Sequence, residues 1–177
     1  MVAAGEDGPE VIGYDEELEH ENIQAKTVST AAEAFLNGQP TEPFFLDVGY
    51  QETHLRYPDV TGEASRYIRT PDPLPDTPEI RRMTAGYHES ARRMDEGHGR
   101  VLDAIERNGL ADNTLVICTT DHGLAYPGMK CNLTDHGMGV FLIMRGPGGF
   151  DGGKVCDGLV SQIDIFPTLC GLLQIDK

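Results

Sequence analysis

The chain has 177 residues, a net charge of −15, and a composition that is 39% hydrophobic and 24% charged. That is about one domain's worth of core-forming sequence. The acidic surplus excludes a nucleic-acid partner, which needs a basic face, and no apolar run of about 18 residues is present, so no membrane-spanning helix is expected.

Residues 1–24 are acid- and glycine-rich and form an acidic lead, read as a short solvated helix at Tyr14–Glu21 or as disorder. Its first ten residues lack the apolar segment of a signal peptide. Residues 25–177 form the folded part. Val28, Ala31, Ala32 and Phe35 recur at helical spacing, so the pattern predicts a helix from Ala25 to Leu36, stopped by Asn37-Gly38. Phe44–Tyr50 (FFLDVGY) reads as a strand, and it delivers His54 just beyond its end. The proline-rich stretch from Leu55 to Pro78 reads as a loop over the rim of a site. Thr77 then caps a long helix with Pro78 in its first turn, running to Asn108-Gly109. Gly97 and Gly99 weaken that helix by roughly 1 kcal/mol each. His88 and His98 lie on it and read as surface or helix-packing residues.

The next stretch is the most informative. Thr114–Thr120 is β-branched or apolar throughout, the pattern of a strand buried on both faces. It stops at Asp121-His122-Gly123, and Gly123 lets the chain turn sharply. Ligands of open α/β sheets gather at the carboxyl ends of such strands. A carboxylate and an imidazole there suit a divalent metal, and Lys130 follows seven residues on. A metal ion with a lysine suits a tetrahedral anion such as sulfate or phosphate. The plainer reading of Asp121 is a turn residue or helix N-cap.

Gly139–Arg145 reads as a third strand, Gly146–Gly153 as a surface turn, and Asp164–Leu173 as a short helix with Asp164 at its N-cap. Strand, loop, helix, strand is a right-handed βαβ crossover, so the expected fold is α/β, a largely parallel sheet flanked by helices. His54, Asp121, His122 and Lys130 would then share one sheet edge. The four cysteines form no Cys-x-x-Cys pair, and Cys118 and Cys170 read as core residues. One sequon, Asn132-Leu133-Thr134, lies beside the candidate site.

Taken together, Phe44-Phe-Leu-Asp-Val-Gly-Tyr-Gln-Glu-Thr-His54, Gly109 through Asp121-His122-Gly123, Lys130, Val140-Phe-Leu-Ile-Met-Arg-Gly-Pro147 and Leu159–Leu169 resemble the second half of the catalytic domain of the formylglycine-dependent sulfatases, in the alkaline-phosphatase-like superfamily. Tyr126–Leu133 leans towards the sulfamidase branch. The resemblance implies that Asp121 and His122 bind a divalent metal, most often calcium, with His122 also near the sulfate. It implies that His54 and Lys130 contact the sulfate and that Lys130 supports the leaving oxygen. The substrate implied is a sulfated small molecule or glycan. The family's formylglycine arises in a Cys/Ser-x-Pro-x-Arg motif, which these 177 residues lack. The chain is therefore expected to be a fragment, inactive alone, with the nucleophile on a further N-terminal part. Two other readings stay open: a phosphatase or phosphodiesterase of the same superfamily, and a catalytically dead glycan-binding module.

Overall fold

A computed structural model describes residues 13–150 and 152–175. Half of the acidic lead, residues 1–12, lies outside them. Its described part is not helical. It is extended chain pinned at Tyr14, whose hydroxyl donates to Asp47 at 3.1 Å and whose ring stacks near Phe45.

Two helices form the scaffold. Helix α1 (Ala25–Asn37) buries Ala25, Val28, Ser29, Ala32 and Leu36, a single stripe at steps of three and four. Helix α3 (Pro78–Arg107) starts where the sequence says: the Thr77 hydroxyl accepts from the Ile80 amide, and Pro78 needs no amide partner in the first turn. The short helix α2 (Gly62–Ser65) interrupts the loop before it. The α1 stripe packs on α3, and Leu36, Ala104 and Ile105 make the shared core. Burying Leu36 completely contributes about 2 kcal/mol. Arg100 and Arg107 both reach Glu33 across the outside of the pair, at 3.0 and 2.6 Å.

Gly97 does more than weaken its helix. It is buried where α1 begins, and a Cβ there would lie 3.0 Å from the Ala25 Cβ and 3.2 Å from its carbonyl oxygen. The missing side chain is what lets α1 approach α3. Gly97→Leu, a good helix former, is expected to lower stability by about 1–3 kcal/mol through overpacking alone. Urea unfolding measures it, and an unchanged midpoint would remove this contact from the account.

Strand β1 (Val116–Thr119) pairs with β2 (Leu142–Arg145), and the ladder is antiparallel, with Val116 opposite Arg145 and Thr119 opposite Leu142. The largely parallel sheet is thus not what the described residues form. The chain after β1 turns back through a compact loop instead of crossing over, so β2 runs against β1. Phe44–Tyr50 is extended but joins no ladder among the described residues, although Phe44 and Leu46 pack on the same core as Val116. β1 is half-buried, not buried on both faces, and β2 alternates, with Ile143 turned outward. Helix α4 (Asp135–Met138) sits between them in sequence. Helix α5 (Ile165–Leu173) follows a 3-10 turn, Gln162–Asp164. Ser161 caps that turn, and the Asp164 carboxylate accepts from the Ser161 amide at 2.8 Å in a capping box. Asp164 stands at the N-cap position of α5 as expected, with its side chain turned back to Ser161 instead of capping α5.

Candidate functional site

The end of β1 and the end of the Phe44–Tyr50 segment open into one cleft of about 560 Å3. Asp121 and His122 line it from one side, and His54 from the other. Residues on either side of the whole of α3 are thereby brought together. Lys130 stands apart. Its amide donates to the Leu124 carbonyl at 3.0 Å, which closes the loop after Asp121, but its half-buried side chain is not among the cleft walls.

Local backbone explains the placement of each group. The Gln51 amide donates to the Ile23 carbonyl at 2.7 Å, and the Glu52 carboxylate accepts from the Ala25 amide at 2.7 Å. The turn that carries His54 is thus tied to the start of α1, and Glu52 satisfies one of its open amides. On the other side, the Gly123 amide donates to the Gly137 carbonyl at 3.0 Å. A Cβ on Gly123 would lie 1.8 Å from the His136 carbonyl oxygen. Glycine is required there by the close approach of α4, and its φ is not left-handed. Gln162 donates from its side chain to the Thr120 carbonyl, fastening the C-terminal segment to the same strand end.

The imidazoles are oriented by their own backbone. His54 Nδ1 faces the Leu55 carbonyl, and His122 Nδ1 faces the Gly123 carbonyl at 2.7 Å. A carbonyl only accepts, so each Nδ1 carries the hydrogen and each Nε2 is left to the cleft. His122 Nε2 lies 3.1 Å from Asp121 Oδ2. A ring nitrogen facing a carboxylate at that distance needs a positive charge between them, a proton or a metal cation. The pair therefore fits a cation. Among the described residues no cluster of three or more His, Cys, Asp or Glu forms a metal site.

Two cleft residues escaped the reading of the sequence. Asp135 and His136 line the same cleft as Asp121 and His122. The signal was present as a second Asp-His-Gly, at 135–137. Gly137 is buried beneath it, where a Cβ would meet the Asn132 and Met129 carbonyls at 2.2 and 2.3 Å. His98 is a packing residue on the cleft wall: its ring lies 5.0 Å from that of Tyr50. Burial drives its pKa below the ordinary 6.5, with Asp95 opposing. The Tyr50 hydroxyl is buried without a hydrogen-bond partner among the described residues, and burial raises its pKa.

The His98 shift has a measurable sign. The fold favours the neutral ring, so the unfolded chain binds more protons just below pH 6.5. The stability it lends is complete above about 6.5 and is lost as pH falls through 6.5 towards the depressed value. His98→Phe keeps a ring against Tyr50 and removes the titration. Urea midpoints from pH 8 to pH 5 are expected to fall less steeply for the variant. Parallel losses in both proteins would clear His98 of this role.

Comparison with known proteins gives a consistent answer. The sulfatase family model matches residues 4–175. Human N-sulphoglucosamine sulphohydrolase is 30% identical over 80% of this chain and 33% of its own length. Rat steryl-sulfatase is 25% identical over 87% of this chain and 27% of its own length. An ulvan-active sulfatase of Formosa agariphila is 30% identical over 58% of this chain and 17% of its own. The chain thus spans about a third or less of these relatives. The first similarity agrees with the sulfamidase lean of Tyr126–Leu133. With nearly its whole length matched by one family model, the chain belongs to the sulfatase family, whose fold is of the alkaline-phosphatase-like α/β kind.

Proposed function

We propose that this chain is part of a metal-dependent sulfatase that hydrolyses sulfate esters or N-sulfates, with a sulfated sugar as substrate. One observation carries the reading: His54 and the Asp121-His122 pair, on opposite sides of α3 in sequence, line one cleft. The similarity to N-sulphoglucosamine sulphohydrolase and to an ulvan-active sulfatase favours a sugar.

In this reading Asp121 and His122 would hold a hard divalent cation, calcium by resemblance. When bound, that cation supplies positive charge for the sulfate oxygens. With its Nδ1 hydrogen engaged by the Leu55 carbonyl, His54 would meet the anion through Nε2, as a donor in the doubly protonated, cationic ring. Lys130 adds a second positive group and supports the leaving oxygen or nitrogen as charge develops on it. The nucleophile, a formylglycine by resemblance, belongs to a part of the enzyme outside these residues.

A direct test uses the complete enzyme and three substrates: an aryl sulfate, a sugar N-sulfate and an aryl phosphate. Release of sulfate from either of the first two, and none of phosphate, is the expected result. Phosphate release alone would reassign the site to a phosphatase or phosphodiesterase, and sugar binding without turnover would make it a binding module. The 177-residue chain by itself is expected to release no sulfate above a buffer blank, because groups that act as a unit lose nearly all rate when one is absent. Turnover by the purified chain would refute that division of the site.

A further inference from the structure

A second cavity of about 390 Å3 opens beside the cleft. Such a volume lies within the ~300–1,000 Å3 range of small-ligand pockets. Arg69 and Asp72 of the long loop line it, with His88 from α3, and Tyr87, Leu124 and His136 belong to both hollows. The two are one groove, divided by a ridge made of a phenol ring, an aliphatic side chain and an imidazole.

The second hollow lacks the acidic surplus of the rest of the molecule, since its lining pairs one arginine with one aspartate and adds two imidazoles. The chain carries −15 overall. Among the described residues, Arg81, Arg92, Arg93, Arg100, Arg107 and Arg145 are each engaged by a carboxylate. Arg69, like Arg56 and Arg66, makes no ion pair among them, and of these three it alone lines the hollow. It faces a hollow that also presents two imidazoles and a single carboxylate. This is a place where an acidic protein accepts an anion.

We propose that this hollow is a subsite for the sugar next to the sulfated one, and that this second sugar bears its own anionic group, a sulfate or a carboxylate. The inference rests on the sulfatase reading of the neighbouring cleft. Arg69 offers the planar fork that matches either anion. Tyr87 offers a ring for the apolar face of a sugar, and Asp72 accepts from a sugar hydroxyl. His136, on the ridge, lies between the two rings. The substrate class is therefore an anionic oligosaccharide. An apolar aglycone such as a steroid would leave Arg69 and Asp72 desolvated without partners.

Ring resonances of the histidines in the 177-residue chain separate the two hollows. The probes are a monosulfated hexosamine, a disaccharide sulfated on both rings, and the same disaccharide with its second ring uncharged. All three are expected to shift His54 and His122. Only the disaccharides should shift His88, and the doubly sulfated one should bind about tenfold more tightly than the one with an uncharged ring. Arg69→Ala, on an exposed loop, should erase that tenfold preference. Shifts at His54 and His122 without any at His88 would overturn the subsite and leave the sulfatase reading intact. Equal affinity for the two disaccharides, or a preference that survives Arg69→Ala, would overturn the anionic second sugar. Silence at His54 and His122 with every probe would overturn the sulfate site, and the subsite with it.

Discussion

Asp121→Ala is expected to remove calcium binding and sulfate hydrolysis together in the complete enzyme. Among the described residues its carboxylate is the one that pairs with His122 Nε2, at 3.1 Å. Removing it leaves the imidazole as the sole ligand of the pair, and a hard cation prefers oxygen. Loss of a group that merely orients a ligand costs 10–100-fold in metal affinity, as a rough guide, and loss of the charged ligand itself should exceed that. The fold should be spared, because Asp121 is exposed at the end of β1 and its side chain enters no core. The measurement pairs calorimetric calcium titration with steady-state kinetics, and unchanged thermal unfolding without metal serves as the control. The isolated chain should bind calcium weakly, since two donors fall far short of the six to eight that calcium takes. Calcium binding and turnover that both survive Asp121→Ala would remove the residue from the metal site.

Lys130→Ala should behave differently. The metal should stay bound and kcat should fall, by roughly a hundredfold or on the order of 3 kcal/mol. In the proposed reading the lysine acts on charge that develops during bond cleavage and takes no part in holding the ion. The expectation is demanding, because the Lys130 side chain is not part of the cleft wall. Its backbone is nonetheless fixed at the cleft margin by the bond to Leu124, and its four-carbon stem can swing. A variant that turns over at the wild-type rate would return Lys130 to the plain role of a surface cation.

Much of this molecule was legible because helices announce themselves locally. The α1 stripe and the Thr77-Pro78 start of α3 follow from spacing and cap chemistry within a few residues. The sheet was harder. An apolar run such as Phe44–Tyr50 specifies an extended backbone, but a strand is defined by its neighbour, and nothing in the run names one. The direction of β2 likewise depended on how the Leu124–Met138 loop folds back, which is set by the close-packed Gly123 and Gly137 and by the buried Tyr126 and Met129, not by periodicity. In the cleft, Asp121 and His122 were found because a strand points at them. Asp135 and His136 carry the same residues on a four-residue helix, where no apolar run precedes them. The role of His98 required Tyr50, which arrives from a distant segment.

Gly123 has a consequence for how substitution data on this region should be read. The tripeptide Asp121-His122-Gly123 would behave as a uniformly intolerant block in a saturation survey, yet for two unrelated reasons. At the first two positions, on the proposed reading, the loss would be chemical and belong to the reaction. At the third it is spatial, since any side chain collides with the backbone of α4 and pushes aside the wall that carries Asp135 and His136. Ranking residues by intolerance alone would therefore promote a hydrogen atom to the rank of a catalytic group. Pairing each substitution with a folding readout separates the two, because only the glycine variants should fail both assays at once.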